Sequence, residues 1–125
     1  MGSRRGRPTV LLVGTEVTER ARQAWTLRVG GWHVEECSLG EDAAAMADAC
    51  DADVIVVDMR DAPAEAAATL RLLRASRAPT IACTADATQA RRARGAGCDA
   101  LLVRYRDPAE LHRSAERFLL TRWAC

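Results

Sequence analysis

Asp58 closes the apolar run Val54-Ile55-Val56-Val57, and it is the side chain of this sequence best placed to do chemistry. A continuous β-branched stretch has no polar face, so it suits a strand covered on both sides, as in a parallel sheet. In such sheets ligands and chemistry gather just beyond the carboxyl ends of the strands, where Asp58 would stand. The first apolar run, Val10-Leu11-Leu12-Val13, ends on Gly14-Thr15-Glu16, and a later one, Ile81-Ala82-Cys83, ends on Thr84. Metal-assisted transfer to a carboxylate needs acidic neighbours, because Mg²⁺ takes one or two carboxylates beyond the reacting group. Gly14 and Thr15 cannot supply them, which leaves one reactive acid without helpers. Asp58 can equally be a hydrogen-bonded carboxylate at a strand end, and Thr84 an ordinary strand-terminal threonine.

The other reactive residue types form no constellation. His33 and His112 have no nucleophile or metal-ligand partner nearby in sequence, so both read as structural or surface histidines. The five cysteines include no C-x-x-C pair, and four of them, Cys37, Cys50, Cys83 and Cys98, lie in or beside apolar segments as small hydrophobes. Cys125, at the chain end, is the thiol expected to oxidise. No metal-ligand spacing, P-loop or G-x-G-x-x-G pattern occurs, so neither a metal nor a nucleotide cofactor is expected. All eighteen basic residues are arginine, which excludes any mechanism that requires a lysine.

Positioning Asp58 falls to a regular alternation of strands and helices. Strands are expected at Thr9–Val13, Trp32–Cys37, Asp53–Asp58, Pro79–Thr84 and Ala100–Arg104. The second has mixed polarity and suits an edge. Helices are expected from Thr18, as N-cap, to Arg28, then over Gly40–Cys50, Pro63–Ser76 and Ala87–Arg94. A last helix opens on Asp107, Pro108 and Glu110 as a capping box and continues through Leu111, Ala115, Phe118 and Leu119. Strict alternation implies an α/β, flavodoxin-like, doubly wound five-stranded parallel sheet of order 2-1-3-4-5 with five helices.

A chain of 125 residues is one domain, here residues 9–125 behind a short basic tail at 1–8 expected to be disordered. No stretch approaches the roughly 20 apolar residues that span a bilayer, so no membrane contact and a cytoplasmic address are expected. Net charge is +1 but unevenly spread. Residues 1–62 hold seven arginines against eleven acids (net −4), and residues 63–125 hold eleven against six (net +5). Such polarity can steer a charged partner or a second copy, while the absence of a basic excess and of base-stacking aromatics argues against nucleic acid.

Nearly the whole chain resembles the receiver domains of two-component response regulators. The family's first strand ends in Leu-Val-Asp-Asp-Glu, here Leu12-Val13-Gly14-Thr15-Glu16, and its third in the phosphoacceptor aspartate, here Asp58. Its fourth strand ends in Thr or Ser followed by Ala, here Thr84-Ala85. The stretch from Ala96 to Val103 looks like the approach to the fifth strand, and Asp107-Pro108-Ala109-Glu110-Leu111 like the start of the last helix. The resemblance also implies which positions are degenerate. The acidic pair that holds Mg²⁺ falls on Gly14 and Thr15, with Glu16 beside them. The essential lysine falls on Arg104, the following proline, often cis, on Tyr105, and the signalling aromatic on Leu101.

The expected function is that of a pseudo-receiver, which signals by protein–protein interaction and not as an enzyme, free-standing or as the first part of a longer regulator. Its expected docking face is the fourth helix, fifth strand and last helix, with Arg91, Arg92, Arg94, Leu101, Arg106 and Arg113, and its partner another signalling protein or a second copy. The acidic pair would otherwise compete for Arg104, so Arg104 is expected to pair with Asp58 and fix one conformation. Trp123-Ala124-Cys125 would form an apolar tip on the last helix, tucked in or used as an anchor. One alternative is a receiver phosphorylated on Asp58 by a histidine kinase, using Mg²⁺. Another is a small flavodoxin-like enzyme or ligand-binding domain, since fold does not fix function.

Overall fold

The computed structural model describes residues 6–14 and 16–124, with side chains to Thr121. Most of the basic tail, Thr15, the side chain of Trp123 and Cys125 lie outside the described residues. Strands β1 (Thr9–Val13), β2 (His33–Cys37), β3 (Val54–Asp58), β4 (Thr80–Thr84) and β5 (Ala100–Val103) alternate with five helices. These are α1 (Val17–Val29), α2 (Ala43–Ala49), α3 (Pro63–Leu73), α4 (Ala87–Ala96) and α5 (Pro108–Ala124). All strand pairs are parallel and the sheet order is β2-β1-β3-β4-β5, as the alternation implies.

Alternate residues of the central strands feed two apolar cores, one on each face of the sheet. Leu11, Val13, Ile55 and Val57 pack with α2, α3 and α4 through Ala47, Leu70, Leu73 and Ala93. Val10, Leu12, Val54 and Val56 pack with α1 and α5 through Leu27, Leu111 and Ala115. Burying each Val, Leu or Ile in these layers contributes about 1.5–3 kcal/mol, which holds the strand ends, and therefore the site, in register. No helix among the described residues is long and apolar enough to cross a membrane.

Element ends differ from expectation where a capping side chain decides them. Glu16, not Thr18, caps α1, its carboxylate accepting from the Glu19 N–H at 2.7 Å. Asp42 caps α2 through the Ala45 N–H, so that helix starts three residues later than expected. α4 runs on to Ala96 because Gly97, at φ +93°, supplies the left-handed C-cap, and Gly95 is tolerated within the helix. The expected start of α5 is found: the Glu110 carboxylate reaches back to the Asp107 N–H (3.4 Å), and Asp107 accepts from Ala109 (3.0 Å). β5 stops at Val103 because Arg104 turns left-handed, at φ +57°.

Candidate functional site: the carboxyl end of the third strand

The Asp58 carboxylate sits where β3 leaves the sheet, its side chain 14% exposed. Its Oδ1 accepts from the backbone N–H of Arg60 (3.0 Å) and from Arg60 Nε (2.9 Å). Its Oδ2 accepts from Arg60 Nη2 (2.6 Å) and from the Gln23 amide on α1 (3.2 Å). An ionised carboxylate offers about four acceptor sites, and all are engaged. The fork of a guanidinium matches a carboxylate in this bidentate way, and charge-assisted pairs of this kind are among the stronger hydrogen bonds.

Arg60 is itself held from three sides. Its Nη2 also contacts Glu19 Oε2 at 3.1 Å, and its guanidinium lies 4.7 Å from the centre of the Tyr105 ring. Hydrogen bonding to Asp58 raises its pKa further above an already high value, against the opposing effect of burial. The network continues outward, since Glu19 pairs with Arg22 (3.1 Å) and Arg22 donates to the Arg106 carbonyl (3.2 Å). A chain of polar contacts therefore joins α1, the loop after β3 and the loop after β5.

Tyr105 is 3% exposed and packs in the core beneath α1 and α5. Its hydroxyl is buried beside the Gln23 side chain, which donates to Asp58, and it makes no regular hydrogen bond to a described residue. Burial is the main cause that pushes the phenol pKa well above its ordinary value. The Tyr105 backbone N–H donates to the Thr84 carbonyl at 3.1 Å, which anchors the turn, and no peptide bond among the described residues is cis.

The structure corrects the expected partner of Asp58. Arg104 is exposed and makes no ion pair or hydrogen bond through its side chain to a described residue. The cause is the left-handed backbone at Arg104, which turns its side chain outward and brings Tyr105 inward. Arg60, two residues beyond the acid, takes the place expected for Arg104. Among the other positions singled out in the sequence, Gly14 lies against Asp58, its carbonyl accepting from Arg20, which also pairs with Glu36 at 3.2 Å. Glu16 is committed to capping α1. The Thr84 hydroxyl is fully buried and donates to the Leu102 carbonyl at 3.2 Å, on the neighbouring strand.

Both histidines have a carboxylate neighbour. His33 Nε2 lies 2.8 Å from Glu35, two residues along the same strand face, and His112 lies 3.7 Å from Glu116, one helical turn away. No group of three or more His, Cys, Asp or Glu able to hold a metal occurs among the described residues. Cys37, Cys50 and Cys83 are buried and Cys98 is partly exposed. Burial raises the Cys37 thiol to about 11, so it is not a nucleophile at neutral pH.

On the edge beside β5, Arg91, Arg92 and Arg94 are exposed on α4, Arg106 on the following loop and Arg113 on α5, while Leu101 is half-buried. None of these five arginines forms an ion pair with a described residue. Sequence reasoning missed Arg60, Glu19 and Gln23. The signal for Arg60 was its place two residues after the acid, within reach of a bidentate contact across one turn of loop.

No protein-family model and no curated protein matches the sequence. Solved structures do match, and they give the chain the receiver-domain fold. A chemotaxis protein of Vibrio cholerae, CheY4, superimposes with a TM-score of 0.77 at 22% identity, over 90% of this chain and 99% of that one. A CheY-like receiver domain protein of Methanospirillum hungatei gives 0.77 at 19% identity, over 96% and 100%. The signal receiver domain of a modulated diguanylate cyclase from Desulfovibrio desulfuricans gives 0.77 at 25% identity, over 94% and 98%.

Proposed function

We propose that this chain is a pseudo-receiver: a signalling module that acts by binding a partner protein, with its acceptor aspartate permanently closed by its own arginine. The observation that carries this reading is the bidentate Arg60–Asp58 pair, at 2.9 and 2.6 Å, which uses the acceptor sites a metal or an incoming phosphoryl group would need. The Mg²⁺ implied by the fold family does not fit this donor set. Asp58 is bound to a guanidinium, Gly14 has no side chain, Glu16 caps a helix and Glu19 is shared between Arg22 and Arg60. A hard divalent cation wants several free oxygen ligands in octahedral array. Without it, aspartyl phosphorylation loses its main electrostatic support.

The partner surface in this reading is the edge formed by α4, β5 and α5, where Arg91, Arg92, Arg94, Arg106 and Arg113 form no ion pair with a described residue and lie beside the exposed Val103. An acidic protein surface is its natural complement, and the long-range field of such an edge speeds encounter more than it adds affinity. A protein that signals in this way needs no resident cofactor and catalyses no reaction.

Incubation with Mg²⁺ and a small-molecule phosphodonor, read by intact mass, tests the reading. No mass gain is expected. A gain of one phosphoryl group that Asp58→Asn abolishes would overturn it in favour of a phosphorylatable receiver. The reverse experiment rebuilds the site. A Cβ on Gly14 would meet Asp58 Cβ at 3.5 Å, an ordinary contact, so Gly14→Asp is sterically tolerable. Combined with Arg60→Ala it sets two free carboxylates side by side, and this variant, unlike the natural chain, is expected to bind Mn²⁺.

A further inference from the structure

The order of the sheet separates the two halves of the sequence, with β2, β1 and β3 from the first and β4 and β5 from the second. The uneven charge of the chain thereby becomes a dipole across the molecule. From Val29 to Met59 there are eight acids and no arginine or lysine. Glu36 pairs with Arg20 and Arg28, Asp58 with Arg60, Glu35 lies against His33, and Asp53 accepts from the Thr9 N–H. The other four, Glu41, Asp42, Asp48 and Asp51, are exposed around α2, on the β2 side of the sheet. Ser38 donates to Glu41 and the Ala45 N–H to Asp42, which leaves both charges in place. Arg20, whose field reaches Glu41, is held by Glu36. None of the four forms an ion pair with a described residue. From Asp86 to Arg113, at the opposite edge, there are six arginines and four acids. Each of these acids binds backbone N–H groups: Asp86 caps α4, Asp99 holds Thr80, and Asp107 and Glu110 open α5. None of the six arginines forms an ion pair with a described residue.

We infer that copies of this chain associate head to tail, the acidic surface around α2 of one docking on the arginine edge of the next. The contact deepens the proposed function, and rests on it in taking the arginine edge as the docking face. α2 and α4 cover the same face of the sheet from opposite sides, through Ala43 and Ala47 and through Ala93 and Ala96. A copy shifted along the sheet therefore sets its α2 beside the α4 of its neighbour. Shape agrees with charge. The exposed side chains of α2 are Ala45, Asp48 and Ala49, all short. Arginine stems from α4 can lie across the alanines while each guanidinium takes a carboxylate in its bidentate fork. Twofold pairing has the opposite electrostatics, since it sets the arginine edge against itself or four carboxylates against four. A head-to-tail contact is heterologous and leaves one edge of each kind open, so association continues past two copies unless the rotation closes a ring.

Sedimentation equilibrium of the full chain, in reductant to keep thiols from cross-linking, tests the contact. In about 0.01 M salt the average mass is expected to rise above 13.6 kDa. The rise should span about 5 to 500 µM, the range of a weak contact. About 1 M salt, which screens exposed charges beyond roughly 3 Å, should abolish it. Arg91→Glu with Arg92→Glu sets acid against acid, and Glu41→Arg with Asp48→Arg sets base against base. Each double variant alone should hold the monomer mass. An equal mixture of the two faces reversed edges with each other and should regain the rise. Glu65→Arg, an exposed reversal on α3, should leave the rise in place. Circular dichroism melts establish that the variants are folded. A natural chain that stays monomeric at low salt overturns the inference, as does a rise that salt leaves unchanged. So does a rise that either double variant keeps alone, or a mixture that stays monomeric. Those results leave the closed Asp58 untouched, whereas a phosphoryl gain would overturn the pseudo-receiver and leave the mass measurement as it stands.

Discussion

The loops after β3 and β5 leave the same edge of the sheet, and each carries an arginine, yet the two side chains have opposite fates. Arg60 is tied to Asp58 and Glu19 and lies against the Tyr105 ring. Arg104, at φ +57°, is exposed and pairs with no described residue. An arginine assigned to the acid by resemblance alone is therefore not enough to make a pair, because the backbone torsion at the strand end decides which residue faces the site. The chemical end of the sheet is saturated, while the arginine edge beside it is open. The polar chain from Asp58 through Arg60, Glu19 and Arg22 to the Arg106 carbonyl connects these two regions.

The largest effect should come from the residue that separates the two regions. Tyr105→Ala removes a buried ring and the platform under Arg60, and should cost about 3–4 kcal/mol, in the range of other buried aromatic truncations. Urea unfolding measures it directly. Tyr105→Phe should be neutral or slightly stabilising, because the buried hydroxyl it removes makes no regular hydrogen bond to a described residue. A large loss on Tyr105→Phe would mean that the hydroxyl is bonded and that the ring is held by more than packing.

Arg60→Ala comes next. It leaves a mostly buried Asp58 with only Gln23 and a backbone N–H, and should cost about 1–2 kcal/mol, the scale of a hydrogen-bonded, charge-assisted pair that is partly exposed. A double-mutant cycle with Asp58→Asn should recover most of that loss as coupling. Coupling near zero would show that the pair is dispensable and would remove the physical basis of the closed site.

A pH experiment sharpens the burial of Tyr105. The chain has a single tyrosine, so its ultraviolet absorbance titration reports this residue alone. An exposed phenol ionises near pH 10. Burial raises Tyr105 well above this, so tyrosinate should not appear until the fold begins to fail. The folded chain then holds a proton that the unfolded chain releases, so stability is full below about pH 10 and falls as pH rises further. Normal ionisation near pH 10 without unfolding would place the ring in solvent and the arginine beside it in doubt.

The sheet was legible because its signals are periodic and redundant. Val54–Val57 has no polar face, Pro79 and Gly97 punctuate the neighbouring elements, and Asp107-Pro108 with Glu110 defines a helix start by side-chain hydrogen bonds within one turn. The position of Asp58 followed from these. Its partner did not, since neither the left-handed turn at Arg104 nor the approach of α1 is written in local pattern. Thr18 and Glu16 are both acceptable caps by type, and only the geometry of the loop chose the glutamate. Likewise the alternation of β5 would have carried its strand pattern into Arg104, and one residue of positive φ broke it.

The smallest expected effect is also the one whose sign separates the two arginines. Arg104 adopts a backbone conformation that costs an ordinary L-residue roughly 1–2 kcal/mol and costs glycine almost nothing. Its side chain forms no pair with a described residue to offset that cost. Replacing it by glycine relieves the strain but adds freedom to the unfolded chain, so Arg104→Gly should stabilise the protein by about 0.5–1 kcal/mol. Were Arg104 the residue that holds Asp58, the same substitution would break a charge-assisted hydrogen bond and destabilise by at least as much. The two arrangements thus predict opposite shifts in the urea midpoint. A shift to lower urea would mean that the arginine at the end of β5, and not the one after β3, closes the acid.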